Sequence, residues 1–469
     1  MKTALAGFLL LWVGQCSGQT FTLTDVIEIA KSKSFTSISA NNNLKLAKLK
    51  FQSFKLASRP LLSFNANIPA YNKDNYAVTQ PDGSIKFLPR SQNFSNAGFA
   101  FSQPLLFSNG SISVNTDLYR FDNFTARSKQ YNGTPVFIRL SQPIFKYNEY
   151  KWNKRIAPLR LMEEKQSYIS SNYMLAYDVC KLFFSVITAQ EDEKLATSNL
   201  ESGNTNLAIE KRRVQLGVST EDKVFTLEMQ QIKNEQQLTL ALFNKRQALA
   251  ELFSYLNVND SVKMNLRLPE KLPEALPLKD VLVEKAKQNM PQYISFQIRS
   301  LEAAAKLEQI KKEGKQIDLT ASYGLNNAAS DIPSVYRNPQ CQQLFNIGFN
   351  IPIADWGKRK NSFATAKFEQ EQTEIKIKQE EEKLLLEIRL IADKLAILKN
   401  NIDQSLSLDT LSQKRFAITN RLFQSGKASL LELQSSQFEK DNARRNYINA
   451  LRAFWENWYM LKSKTLLSF

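Results

Sequence analysis

Histidine is absent from all 469 residues. Any catalysis would therefore run on carboxylates, Lys or Cys, because imidazole acid–base work, His-containing triads and His metal sites are all unavailable. No nucleophile–base pair and no metal-ligand spacing emerges, so the sequence points away from an enzyme and implies neither cofactor nor metal. Trp455, Trp458 and Tyr459 could form a ligand cage, but their helical spacing favours core packing. Two glycine sites carry more information. Gly217 is followed by Ser219 and Thr220, and Gly426 by Ala428 and Ser429. Each lies in a long helical stretch, where a residue without Cβ can turn the chain and Ser or Thr can cap the next helix. Such a corner is either a plain helix–turn–helix or a surface that a partner's helices grip.

These sites recur at a fixed interval. Pro143 and Pro352 are 209 apart, as are Gly217 and Gly426. Upstream, Thr22 to Val26 matches Pro277 to Val281 at an offset of 255, and Leu62 to Ile68 falls on Ile317 to Tyr323 at the same offset. Each half reads helix, strand, loop, strand, long helix, and the first half carries about 46 extra residues between its strands. The excess contains a second Ser-Gln-Pro segment, Ser102 to Pro104, then Asn109-Gly110, then alternation over Ser111 to Tyr119. It reads as an extra hairpin at about 94–121 that widens a sheet or sits above it.

The elements that must position the glycines are long helices. Leu175, Val179, Leu182, Phe183 and Val186 in one half, and Leu384, Ile388, Ile391, Leu395 and Leu398 in the other, recur at helical spacing. Pro143 to Gly217 would span roughly 110 Å if mostly helical. The return path comes in two pieces, Gly217 to Leu256 and Pro277 to Glu313 in the first half, with Thr22 to Ser58 closing the second. At the other end, Phe345, Ile347, Phe349 and Ile351 alternate with polar or small residues, and Phe64 and Ile68 belong to a similar run. One apolar face and one small, polar face suits a barrel with lipid outside and water inside, or an ordinary sheet with one solvated face. The fold class is thus α+β and mostly helical, with an internal two-fold repeat. Four or six strands cannot close a conducting wall alone, so copies of the chain must share one. Three copies give twelve or eighteen strands, above a hollow cylinder of long antiparallel helices.

The N-terminus reads as a secretory signal over residues 1–18, with Lys2, an apolar stretch from Leu5 to Val13, and the exit Cys16-Ser17-Gly18. A lipoprotein would carry its lipid on Cys16, for which Gln15 is a poor preceding residue. The remaining boundaries follow the repeat: 19–256, a linker at 257–276, and 277–469. Cys180 is expected mid-helix and Cys341 in a polar loop, both unpaired. The net charge of +17 is dispersed on an exported chain, which argues against nucleic acid. Lys311-Lys312 and Lys358-Arg359-Lys360 flank strands, where they would anchor a barrel at anionic lipid or simply face solvent.

The duplicated plan, the strand ending Phe349-Asn350-Ile351-Pro352-Ile353-Ala354-Asp355-Trp356-Gly357, and the tip segments Arg213 to Thr220 and Arg421 to Leu433 resemble the TolC-like outer-membrane efflux proteins. Tyr447 to Leu451 with Trp455 to Tyr459 is similar to that family's last helix. The resemblance implies a homotrimer with a β-barrel in outer-membrane lipid and an α-helical barrel in the periplasm. It implies a passive exit duct for small molecules or polypeptide in an efflux or type I secretion system, partnered by a periplasmic adaptor and an inner-membrane pump. Gly217, Ser219, Thr220, Gly426, Ala428 and Ser429 would contact the adaptor. The family's aperture acids lie six and nine residues after the glycine. Here those positions hold Glu432 and Ser435, so half of that pattern is present. The rival reading is a secreted coiled-coil scaffold or tether that conducts nothing.

Overall fold

The computed structural model describes residues 20–259, 264–269, 271–273, 278–314 and 316–467. The signal at 1–18, with Cys16, lies outside the described residues, as does part of the linker at 257–276. In chain order the elements are β1 (Thr20–Phe21), α1 (Leu23–Lys33), α2 (Phe35–Leu56), β2 (Leu61–Asn67), β3 (Tyr71–Thr79), β4 (Ile85–Leu105), β5 (Gly110–Asn123) and β6 (Ser128–Ile144). There follow α3 (Glu149–Gln215), α4 (Glu221–Leu256), β7 (Asn265–Leu266), α5 (Lys279–Asn289), α6 (Pro291–Lys312), β8 (Gln316–Ala329), α7 (Ile332–Arg337), β9 (Gln340–Asn350), α8 (Lys358–Gln424) and α9 (Leu430–Thr465). Helix lengths come in matched pairs: 11 residues for α1 and α5, 22 for α2 and α6, 67 for α3 and α8, and 36 for α4 and α9.

Local chemistry sets the ends. Thr22 caps α1 and forms a reciprocal pair with Asp25, satisfying two amides that have no partner within the helix. Asn257 ends α4 in the left-handed conformation at φ +54°, which Asn tolerates better than most side chains. The expected single helices over Thr22–Ser58 and Pro277–Glu313 are each broken in two. Ser34 and Met290 take extended conformations there, and Met290 precedes Pro291, whose ring disfavours helical backbone in the residue before it. α3 carries Pro158 inside it.

The chain divides into two units. One comprises the segment ending at Leu44, Glu164–Tyr293, and the chain from Glu381 on. It is a helical bundle with an apolar core built from Leu175, Val179, Phe183 and Phe184 of α3, Leu252 and Leu256 of α4, Ile388 and Leu395 of α8, and Ile448, Leu451, Phe454 and Trp458 of α9. Each such side chain contributes about 1.5–3 kcal/mol through burial. Phe454 stacks on Trp458, and Trp455 on Tyr459, so the aromatic group is core. Cys180 is buried in the same core.

The other unit, Lys45–Glu163 and Ile294–Glu380, holds a seven-stranded antiparallel sheet in the order β2-β4-β5-β6-β8-β9, with β3 paired to the start of β4. The extra hairpin is longer than expected, extending to Ile85 and Asn123, and it joins the sheet. Asn109 sits at its turn with φ +60°. Two expectations shift here. Cys341 lies in β9 and not in a loop, because the strand begins at Gln340 among three glutamines that a period-two reading takes for a loop. β3 is largely polar, YNKDNYAVT, and carries no apolar face to announce it.

Candidate conduction surface and helix tips

The register of the sheet sorts its side chains into two faces. Phe64 pairs with Phe99, Leu62 with Phe101, and Phe101 with Val114. Val114 pairs with Ile138, Ile138 with Tyr323, Leu319 with Ile347, and Ile317 with Phe349. Every one of these residues points to the same side, and most are open: Phe64 is 60% exposed, Phe345 68% and Phe349 68%. This is a mainly apolar face across six strands, with Thr116 and Gln343 among its few polar positions. The opposite side carries Ser63, Asn65, Ala100, Ser102, Ser113, Asn115, Arg139, Ser141, Thr320, Ser322 and Asn346, again in register. A hollow of about 420 Å³ on this face is lined by Asp117, Tyr119, Phe137, Arg139, Ser322 and Asn326, among others.

Of the predicted lipid-facing positions, Phe64, Phe345, Ile347 and Phe349 stand on the apolar face. Ile68 and Ile351 do not lie within strands. β2 ends at Asn67 and β9 at Asn350, each two residues before a proline, which cannot donate to a ladder. No helix among the described residues is long and apolar enough to cross a membrane.

Within the helical unit, α3 turns into α4 at Gly217 (φ +72°) and α8 into α9 at Gly426 (φ +78°). A Cβ at either position would sit in the left-handed region that glycine alone enters freely. One side chain ties the two turns together. Arg213, in the last turn of α3, donates from Nη2 to the carbonyls of Phe423 (2.8 Å) and Gln424 (3.0 Å) at the end of α8. Its Nη1 donates to Glu210 at 2.9 Å. Ser219 donates its hydroxyl to the same Glu210 carboxylate, whose side chain is 2% exposed. Arg213 also lies over the Phe423 ring, 5.5 Å from its centroid. Cations suit helix C-termini because the last carbonyls have no partner within the helix. Arg213 stands in the tip motif, but the carbonyls it reaches lie 210 and 211 residues further along the chain, where no local pattern points.

The other tip residues have separate places. Thr220 is the N-cap residue of α4 but makes no side-chain cap bond. Ala428 packs on a small core of Leu207, Leu227, Phe423 and Leu433. Ser429 caps α9: its amide donates to Glu432 at 2.7 Å, its hydroxyl at 2.9 Å, and the Glu432 amide donates back at 3.2 Å. These hydrogen bonds hold the Glu432 carboxyl below the usual range. Ser435 is exposed and donates to Glu439 at 3.3 Å. Sequence reasoning passed over Leu216, Val218 and Leu431, which stand 63%, 72% and 76% exposed beside the turns.

The sheet is two-faced, mainly apolar on one side and mainly small or polar on the other, the long helices turn at glycine tips, and the chain is matched by one family model. That model, outer membrane efflux protein, matches residues 96–258 and 285–463. The chain belongs to the outer membrane efflux protein family. It is an outer-membrane protein and an exit duct for efflux. Among solved structures, the Campylobacter jejuni CmeC outer membrane channel is similar at 14% identity with a TM-score of 0.68, covering 99% of this chain and 93% of that one. The outer membrane protein VceC from Vibrio cholerae is similar at 12% identity and TM-score 0.64, covering 94% and 95%. The open state of the Neisseria gonorrhoeae MtrE outer membrane channel is similar at 15% identity and TM-score 0.62, covering 94% and 88%. No curated protein matches the chain by sequence.

Proposed function

We propose that the protein is the passive exit duct of a tripartite efflux or type I secretion system, working as a homotrimer. The carrying observation is the apolar sheet face in register from β2 to β9. A lone sheet of this kind has two edges whose unpaired N–H and C=O groups cannot enter lipid, so copies must complete the wall. The paired helix lengths support an internal duplication with repeats at 19–256 and 277–469 and a linker at 257–276. The long helices are read as the wall of a periplasmic cylinder.

At the tips, Gly217, Ser219, Thr220, Gly426, Ala428 and Ser429 form the proposed seat of a periplasmic adaptor, and exposed Leu216, Val218 and Leu431 add the apolar contact such docking needs. The adaptor couples the duct to an inner-membrane pump, which supplies the energy. The cargo is small molecules or polypeptide. In the trimer, three Glu432 carboxylates with three Ser435 hydroxyls ring the aperture and favour cations. The direct test is planar-bilayer conductance of detergent-purified protein. Stable, long-lived steps are expected, and a protein that inserts yet never conducts would end the duct reading.

A further inference from the structure

The hairpin of β4 and β5 is not an ornament on the sheet but its middle. β2 pairs only with β4, over Leu61–Asn67 against Asn96–Ser102, and β5 pairs with β6 over Ser111–Asn123 against Ser128–Ser141. If the hairpin stood outside the wall, β2 would lose its ladder and β6 one of its two. Both would then carry unpaired backbone groups at membrane depth, each costing several kcal/mol. The hairpin's own side chains follow the two-faced rule. Phe99, Phe101, Ile112 and Val114 lie on the apolar face with exposures of 52%, 48%, 38% and 41%, and Ala100, Ser102, Ser113 and Asn115 lie on the other.

We propose that each copy contributes six strands to the shared wall, so that three copies close an eighteen-stranded barrel through pairing of β9 of one copy with β2 of the next. The proposal rests on the trimeric duct reading above and adds strand number, seam and width to it. The seam is geometrically allowed. Every neighbouring pair along β2-β4-β5-β6-β8-β9 is antiparallel, so with an even number of strands the two edges run in opposite directions. Head-to-tail pairing of identical copies is then antiparallel too, and a heterologous contact of this kind closes a ring. The faces also agree, since Leu62 and Phe64 on one edge and Phe345, Ile347 and Phe349 on the other stand on the same side of the sheet.

Width follows from strand number. With strands about 4.8 Å apart and tilted about 40°, eighteen strands enclose a backbone diameter of about 36 Å, against about 24 Å for twelve. Allowing about 5 Å of side chain on the inner wall, the open cross-section is about three times larger. The barrel would thus admit a bulkier class of solute than a twelve-stranded wall.

The test is single-particle electron microscopy of the full-length protein in lipid nanodiscs, with polymer-exclusion conductance alongside. Eighteen strands in a threefold ring, a diameter of about 36 Å, and a cutoff set by that bore for polymers added on the barrel side only are expected, the Glu432 aperture limiting those added at the tips. A threefold ring of twelve strands, with residues 93–127 lying off the wall, would overturn this proposal and leave the duct intact. Particles without a central bore would overturn both. A closed ring of six strands per copy at another copy number would overturn the eighteen-strand count while keeping the duct and the seam.

Discussion

Replacing Arg213 with Ala removes the side chain that joins the last turn of α3 to the final carbonyls of α8. The substitution deletes two hydrogen bonds to α8 carbonyls and leaves the Glu210 carboxylate, 2% exposed, with Ser219 as its remaining partner. Removing one member of a shielded ion pair costs about 3–5 kcal/mol. Arg213 is itself 19% exposed, so the lower bound applies and water replaces part of the loss. About 3 kcal/mol corresponds to roughly a hundredfold change in a local opening equilibrium. Hydrogen exchange reads this directly, because tips open locally without global unfolding. Amides of 214–219 and 423–428 in R213A should exchange about a hundredfold faster, while those around Val179 to Phe184 keep their protection. Arg213→Lys should recover only part of the effect, since one ammonium cannot span a carboxylate and two carbonyls with a fork's geometry. If the tip amides of R213A changed by less than about threefold, the bridge would carry no weight and the reasoning would fail.

Gly426→Ala forces a Cβ into φ +78° and should destabilise the second tip by about 1–2 kcal/mol, seen as faster exchange at 423–428 with an unchanged core. Ile347→Lys puts a charge on the proposed lipid face and should cost about 2–4 kcal/mol near the membrane midplane, while Asn346→Lys on the other face should cost far less. Equal losses in denaturant titrations of the two reconstituted variants would contradict the assignment of faces. Glu432→Gln should reduce cation preference in reversal-potential measurements, and an unaltered preference would remove Glu432 from the aperture. For Glu191, burial alone would raise the carboxyl, but the bonded Lys194 and the Arg444 charge hold it below its ordinary 4.5. A lowered folded-state pKa gives stability that is present above that value and lost as pH falls through the folded one. Melting temperature should therefore drop less steeply in Glu191→Gln than in wild type as pH falls below the ordinary 4.5, and parallel curves would count against the pairing.

The sequence alone determined what depends on short-range rules. Helical spacing at Leu175, Val179 and Val186, period-two alternation at Phe345, Ile347 and Phe349, and glycine at 217 and 426 each report a local backbone geometry, and the 209-residue interval tied them into one plan. Those rules could not say whether the hairpin near 94–121 joined the sheet, because a strand's two faces look the same whatever lies beside it. They missed β3, whose polar residues carry no face, and the breaks at Ser34 and Met290, since helical spacing persists across a one-residue interruption. Only the tertiary structure put β4 and β5 between β2 and β6 and brought Arg213 to the carbonyls of Phe423 and Gln424. Backbone pairing and charge-to-carbonyl contacts between distant segments depend on where the chain returns in space, and no residue states that by its type or its neighbours.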